Sequence, residues 1–149
     1  MAHVCSLLNR HEARYVVIGG QACILHGLVR TTEDVDILVE DNDDNFRRVI
    51  AALSELPDHA AVELTPADLR DNVVVKVADQ VEVDISRSAW KVSFEEASKT
   101  VQHLKVENVD IPYAGLDALI ASKETYRDQD RVDVIRLKEL ARRQQPPAN

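Results

Sequence analysis

Three aspartates carry the chemistry that this sequence indicates most strongly. Asp34 and Asp36 lie two residues apart at the start of the apolar segment Val35–Val39, and Asp84 interrupts a second apolar segment, Val83–Ile85. Side chains two residues apart on a strand point to the same face of a sheet, so the first two carboxylates are expected side by side. Such a pair is tolerated when a cation lies between its members. Oxygen ligands of this kind suit magnesium or manganese.

The third carboxylate extends this argument if its strand neighbours the first. Asp84 would then meet Asp34 and Asp36, which is enough for two metal ions about 3.5–4 Å apart. One ion would accompany a triphosphate, and the other would lower the pKa of an attacking hydroxyl, with Asp84 as ligand and base. The alternative is a solvated strand face, because Glu82 shares the face of Asp84.

A glycine pair stands before the acids in a position suited to phosphate. Gly19 and Gly20 follow the β-branched run Tyr15–Ile18 and open a short helix that includes Gln21. Glycine lets the backbone come close to a phosphate, and the helix start offers free N–H groups. A simple tight turn is the alternative interpretation of the pair.

Basic and hydroxyl side chains flank these motifs. Arg30 could clamp a phosphate, or be a surface arginine, and Thr32 could donate a hydrogen bond, or belong to a polar loop. Lys123 shares the apolar stripe of its helix, so it either extends outward or reaches a polar pocket. Arg127 and Asp130 follow at helical spacing and are expected to form a buried ion pair that ties the last two helices together.

The remaining pattern predicts the elements that position these residues. Interleaved helices and strands come first, hairpins follow, and two helices end the chain. This order predicts an α+β fold with a mixed sheet flanked by helices. Strands are expected over 15–18, 35–39, 73–77, 81–85, 101–106 and 109–113, and helices over 2–11 and 21–26, from Asn42 to Pro57, after Ser93, from Leu116, and through Val134 and Leu137. One domain over 1–143 and a disordered tail over 144–149 complete the expectation.

Composition restricts the classes of function. The chain has 149 residues and a formal net charge of −8, which argues against broad DNA or RNA binding but leaves room for an RNA end on a local basic patch. It contains no apolar run of membrane-spanning length and no secretory leader pattern, so a cytoplasmic location is expected. Cys5 and Cys23 are expected to be buried free thiols.

Together these motifs resemble the DNA polymerase β-type nucleotidyltransferase superfamily. The resemblance rests on Gly19-Gly20, then Asp34-Val35-Asp36, then Asp84 on a later strand. The stretch from Gly19 to Asp36, with Gln21, Arg30 and Thr32, is particularly similar to small bacterial AbiEii-like nucleotidyltransferases. The later residues Ser122, Lys123, Arg127, Asp130 and Asp133 resemble the lysine–arginine–aspartate helix pair of those proteins.

The resemblance implies a palm-like sheet and transfer of a nucleoside monophosphate from a nucleoside triphosphate to an acceptor, with release of pyrophosphate. It assigns metal ligation by magnesium or manganese to Asp34, Asp36 and Asp84. It assigns nucleotide contacts to Gly19, Gly20, Gln21, Arg30, Thr32 and Lys123. Many members have serine after the first glycine, and Gln21 could supply the missing hydrogen bond. Because few residues follow Tyr113, the acceptor would lie in a shallow groove or bind with help from a second subunit, either a partner protein or another copy.

Three functions remain open from the sequence. The first is a catalytic nucleotidyltransferase of a toxin–antitoxin or phage-defence system that modifies an RNA end or a protein. The second is an enzyme that nucleotidylates an antibiotic hydroxyl. The third is a non-catalytic nucleotide-binding antitoxin or regulatory subunit.

Overall fold

The computed structural model describes residues 1–147 and contains seven helices and eight strands within them. The helices are α1 Ala2–Arg10, α2 Gly19–Leu25, α3 Asp43–Leu53, α4 Pro66–Asp71, α5 Phe94–Ser98, α6 Leu116–Ser122 and α7 Asp128–Gln144. The strands are β1 Tyr15–Ile18, β2 Val35–Val39, β3 Val74–Ala78, β4 Glu82–Ser86, β5 Ser88–Ala89, β6 Val92–Ser93, β7 Gln102–Val106 and β8 Val109–Tyr113. The α+β fold with a mixed sheet expected from the sequence is confirmed.

Six strands form one sheet in the order β3-β4-β2-β1-β8-β7. Strand β2 runs parallel to β4 and antiparallel to β1, and β1 runs parallel to β8. The antiparallel hairpins β3–β4 and β7–β8 lie at the two edges. The end of β1 and the beginnings of β2 and β4 therefore lie next to one another at the same end of the sheet.

Local sequence explains several element boundaries. Asn42 caps α3 by accepting a hydrogen bond from the backbone of Asn45, and Ser93 caps α5 in the same way. Glu107 and Asn108 connect β7 to β8 with positive φ at both residues, the backbone that a two-residue hairpin turn requires.

Several predicted boundaries differ from the structure. Helix α3 ends at Leu53 rather than at Pro57, and β3 and β4 each begin one residue later than expected. Helix α2 begins at Gly19, where the glycine pair was expected to open it. Helix α4 was not expected from the sequence, although Thr65 and Asp68 form its capping box.

The core lies between the sheet and two groups of helices. Helices α1, α3 and α4 contact one another in succession, and α2, α5, α6 and α7 form a second connected group. Val35, Ile37 and Val39 of β2 are fully buried, as are the free thiols of Cys5 and Cys23. No helix within residues 1–147 combines the length and the apolar character needed to cross a membrane.

The structure describes only part of the tail that was predicted to be disordered. Helix α7 ends at Gln144, and residues 145–147 have no regular secondary structure. Residues 148–149 lie outside the described part, so disorder over 144–149 stays a prediction.

Candidate active site

Two of the three aspartates lie side by side on neighbouring strands. Asp36 of β2 pairs in parallel register with Asp84 of β4, and strands in a sheet are about 4.8 Å apart. Asp34 lies just before β2 and lines the same cleft as both of them. The structure thus brings together three carboxylates that are distant in the chain. Their role as metal ligands stays a prediction.

The cleft has a volume of about 430 Å³, within the usual range for small-molecule sites. Its walls come from the end of β1, the start of α2, the segment before β2, strands β3 to β5, and the connection between α6 and α7. They include, besides the three aspartates, Gly19, Gly20, Arg30, Thr32, Ser86, Trp90, Lys123 and Arg127. Gln21 is not part of these walls, so the expected hydrogen bond from its side chain stays a prediction.

Gly19 is required by the geometry of the acid pair. Its φ is +67°, which favours glycine, and a Cβ added there would lie 2.2 Å from Oδ2 of Asp36. At Gly20 a Cβ would meet Thr32 at 2.9 Å and the guanidinium carbon of Arg30 at 3.2 Å. The glycine pair therefore lets the backbone pass directly against the carboxylate and the basic side chain.

The electrostatics of the acids favour a bound cation. Burial, reinforced by the carboxylates of Asp84 and Asp34, raises the pKa of Asp36 to about 6, and the charge of Lys123 offsets part of this effect. Oδ1 of Asp84 is buried without a hydrogen bond. Nζ of Lys76 approaches it at 3.4 Å, and the same ammonium lies 3.2 Å from Glu82. Since Lys76 is half exposed, this contact compensates the buried oxygen only partly.

The donor set fits a metal that shares its ligands with a substrate. Within residues 1–147, no three or more Asp, Glu, His or Cys side chains are arranged as a complete metal-binding group. Magnesium, however, is usually held by one or two carboxylates together with substrate phosphates and waters. The carboxylate pair at Asp36 and Asp84, with a buried oxygen that accepts no hydrogen bond, matches that pattern.

A buried ionic network supports the part of the cleft lined by Arg30, Lys123 and Asp130. Oδ2 of Asp133, a fully buried carboxylate in α7, accepts hydrogen bonds from Nη1 of Arg30 at 2.6 Å and from Nζ of Lys123 at 2.9 Å. Nζ of Lys123 also lies 3.5 Å from Asp130, whose other oxygen accepts a hydrogen bond from Thr125. The network fixes two cations beside the aspartates.

This network corrects the expectation for Arg127. Its side chain is 78% exposed and its Nε lies 3.9 Å from Asp130, so a buried pair of these two residues was wrong. Lys123, which ends α6, is the buried partner of Asp130 instead. A lysine at the end of a helix has a flexible stem that reaches the carboxylates of α7, whereas Arg127 precedes α7 and faces solvent.

Sequence reasoning missed a pair of aromatic residues, of which Trp90 lines the cleft. Trp90 connects β5 to β6, and Tyr126 lies between α6 and α7; their rings meet edge to face at 5.8 Å. Neither belongs to a periodic pattern. The available signal was the single tryptophan of the sequence, which stands in a short polar stretch with Arg87, Ser88 and Lys91.

A second cavity does not share these features. It has a volume of about 600 Å³ and is lined by Arg14, Glu40, Asp41, Arg87 and Phe94, among others. It contains neither the glycine pair nor the three aspartates, so the smaller cleft is the candidate active site.

Comparisons with known proteins agree with the geometry. The chain is similar in structure to a "putative nucleotidyltransferase" from Thermotoga maritima, with a TM-score of 0.54 and 14% identity over 94% of this chain and 86% of that one. At that identity the likeness concerns the fold alone. No functionally curated protein matches the chain. Residues 2–143 match the family model described as "Nucleotidyltransferase of unknown function (DUF6036)", and the chain therefore belongs to that family.

Proposed function

We propose that the protein is a magnesium- or manganese-dependent nucleotidyltransferase of the DNA polymerase β type. It would move a nucleoside monophosphate from a triphosphate to a hydroxyl of an acceptor, either an RNA end or a protein. The observation that carries the proposal is the register of Asp36 and Asp84 beside Gly19. The closeness to AbiEii-like proteins and a role in a toxin–antitoxin or phage-defence system belong to this proposal.

The chain's own residues divide the work. Asp34, Asp36 and Asp84 would hold the metal, which when bound neutralises phosphate charge and lowers the pKa of the acceptor hydroxyl. Gly19 and Gly20 would bring backbone N–H groups to the phosphates, and Arg30 and Lys123 would supply positive charge, held in place by Asp133.

The proposed reaction exchanges one phosphorus–oxygen bond for another, with no change of oxidation state. The acceptor oxygen would form a bond to the α-phosphorus while the bond from that phosphorus to the pyrophosphate oxygen breaks. The hydroxyl proton would pass to Asp84 or to water, and pyrophosphate would leave. Because the charges of Arg30 and Lys123 are fixed before substrate arrives, they can stabilise the leaving group without reorganisation.

Transfer of labelled nucleotide tests this proposal. The purified protein is incubated with each of four labelled triphosphates and magnesium, against total RNA and against the protein itself. We expect labelled product that disappears with chelator and falls at least about 100-fold in Asp36→Asn and Asp84→Asn. Asp128→Asn is the matched control, because Asp128 is fully exposed in the first turn of α7.

Three results would contradict the proposal. Transfer at the normal rate in both variants would remove the metal assignment. No magnesium-dependent binding of any triphosphate by calorimetry would favour a non-catalytic subunit. Pyrophosphate released only when an aminoglycoside is added would instead identify an antibiotic-modifying enzyme.

A further inference from the structure

The tip of the small hairpin β5–β6 places a large aromatic side chain at the mouth of the cleft. Ala89 pairs with Val92, so Trp90 and Lys91 form a two-residue connection. Trp90 is 47% exposed and lines the same cleft as Gly19 and Asp36. A large apolar ring that stays half exposed beside a polar cleft has surface available for a ligand.

The backbone of Trp90 is unusual for its residue type. Its φ is +57°, and the first residue of a two-residue hairpin with positive φ is usually glycine. A bulky residue in this region stores conformational strain, and such outliers concentrate at functional sites. The tryptophan therefore does not serve the turn, which glycine would make more easily.

A second exposed aromatic side chain orients the first. Tyr126 is 82% exposed and meets Trp90 with an interplanar angle of 89° at 5.8 Å. This edge-to-face arrangement is attractive, yet it covers far less ring surface than parallel stacking does. The ring of Trp90 is thus held in place while much of its surface remains open.

We infer that Trp90, oriented by Tyr126, is a stacking platform for the nucleobase of the bound triphosphate. The inference rests on the proposed function. The residues proposed to bind phosphate and the aspartates line the cleft. Trp90, at the tip of the hairpin β5–β6, lines the same cleft, so its ring is available to the base of a triphosphate held there. Stacking of a base on an aromatic ring is strong and tolerates any base, because every base has a π-face. The platform therefore supplies affinity for nucleotides in general rather than a choice among bases.

Two titrations of the intact protein test the platform. Trp90 is the only tryptophan in the chain, so its fluorescence reports stacking directly. With magnesium present, we expect each of the four triphosphates to quench this fluorescence, and inorganic tripolyphosphate to bind without comparable quenching. Calorimetry gives both affinities independently of the fluorescence.

Substitutions separate stacking from a structural role. Trp90→Gly suits the backbone of the turn, so we expect an unchanged circular dichroism spectrum and a nucleotide affinity about tenfold weaker. Its affinity for tripolyphosphate should stay at the wild-type value. Trp90→Phe should recover most of the lost affinity, and Lys91→Ala, the other residue of the turn, should bind nucleotide normally.

The outcomes distinguish the inference from the proposed function. If nucleotides bind with magnesium but Trp90→Gly binds them as tightly as wild type, the platform is wrong and the nucleotidyltransferase proposal stands. If Trp90→Gly binds nucleotide normally and loses only transfer to RNA, the assignment to the triphosphate base is also wrong. If no triphosphate binds with magnesium, both proposals fail.

Discussion

At the scale of single residues, the site depends on one atom-sized gap. Gly19 leaves room for the carboxylate of Asp36, since a Cβ there would be 2.2 Å from Oδ2. From the sequence alone, Gly19 was expected to let the backbone approach a phosphate. The structure adds that the same glycine accommodates an acid of the chain itself.

Gly19→Ala should therefore impair both stability and activity. The alanine must adopt an unfavourable φ, which costs about 1–2 kcal/mol, and it must also displace Asp36. We expect loss of nucleotide transfer together with a lower midpoint in urea unfolding. Gly27→Ala is the control, because Gly27 has a φ of +99° but open space around its Cβ position. If the two variants lose equal activity, the contact between the added Cβ and Asp36 is not the cause of the loss.

Asp36→Asn should stabilise the metal-free protein at neutral pH. The ordinary pKa of 3.8 rises to about 6 in the folded protein, so the folded state binds more protons and its stability falls as pH rises from about 4 to about 6. Removing the charge should raise the free energy of unfolding by about 1–3 kcal/mol above about pH 6 and leave it unchanged below about pH 4. Urea unfolding with chelator at about pH 4 and pH 7.5 measures the difference. If the variant is less stable than wild type at pH 7.5, the buried charge of Asp36 does not destabilise the folded protein and the explanation fails.

At the scale of elements, ion pairs join the last helix to the segment before β2 and to the end of α6. Asp133 is fully buried in α7 and contacts Arg30, before β2, and Lys123, at the end of α6. Three segments thus meet at one carboxylate. A buried ion pair contributes little net stability by itself, but breaking one partner leaves an uncompensated charge.

Asp133→Ala should destabilise the protein by about 3–5 kcal/mol, because Arg30 and Lys123 would remain buried without their shared partner. The free energy of unfolding in urea measures this effect. Asp128→Ala, in the exposed first turn of the same helix, should cost less than about 1 kcal/mol. If the two variants lose similar stability, the network does not hold α7.

Strands were easier to predict than short helices and connections. The boundaries of β1 and β2 follow from β-branched runs with buried residues. Helix α4 has only six residues and one buried side chain, so its apolar period is too short to recognise. The partner of Asp130 could not be read from helical spacing either, because Lys123 reaches it across a bend between two helices.

At the scale of the whole molecule, the sequence predicted that the three aspartates meet only if their two strands are neighbours in the sheet. The sequence placed acids on two strands, but only the order of strands in the sheet makes β2 and β4 neighbours. Pairing of distant strands depends on the complete fold rather than on local pattern. Trp90 illustrates the limit, since its position beside the cleft follows from a hairpin of two-residue strands that no periodicity reveals.

The thiols should report on opening of the whole core. Burial raises the pKa of Cys5 and of Cys23, so little of the reactive thiolate exists at about pH 8, and reagents cannot reach it. We expect a disulfide reagent to modify neither residue in the folded protein and both in urea. Rapid labelling of Cys23 without denaturant would mean that α2, and with it the cleft, opens locally.

The parallel pairing of β2 with β4 also bears on biosynthesis. A nascent chain that has released only its first two strands from the ribosome carries Asp34 and Asp36 but lacks their counterpart. Arg30 and Lys123 both depend on Asp133 of α7, which follows every strand in the chain order. The acids and the cations of the cleft would therefore take up their places only after β4 and α7 have both been made, so a fragment that stops before either element would lack a complete cleft.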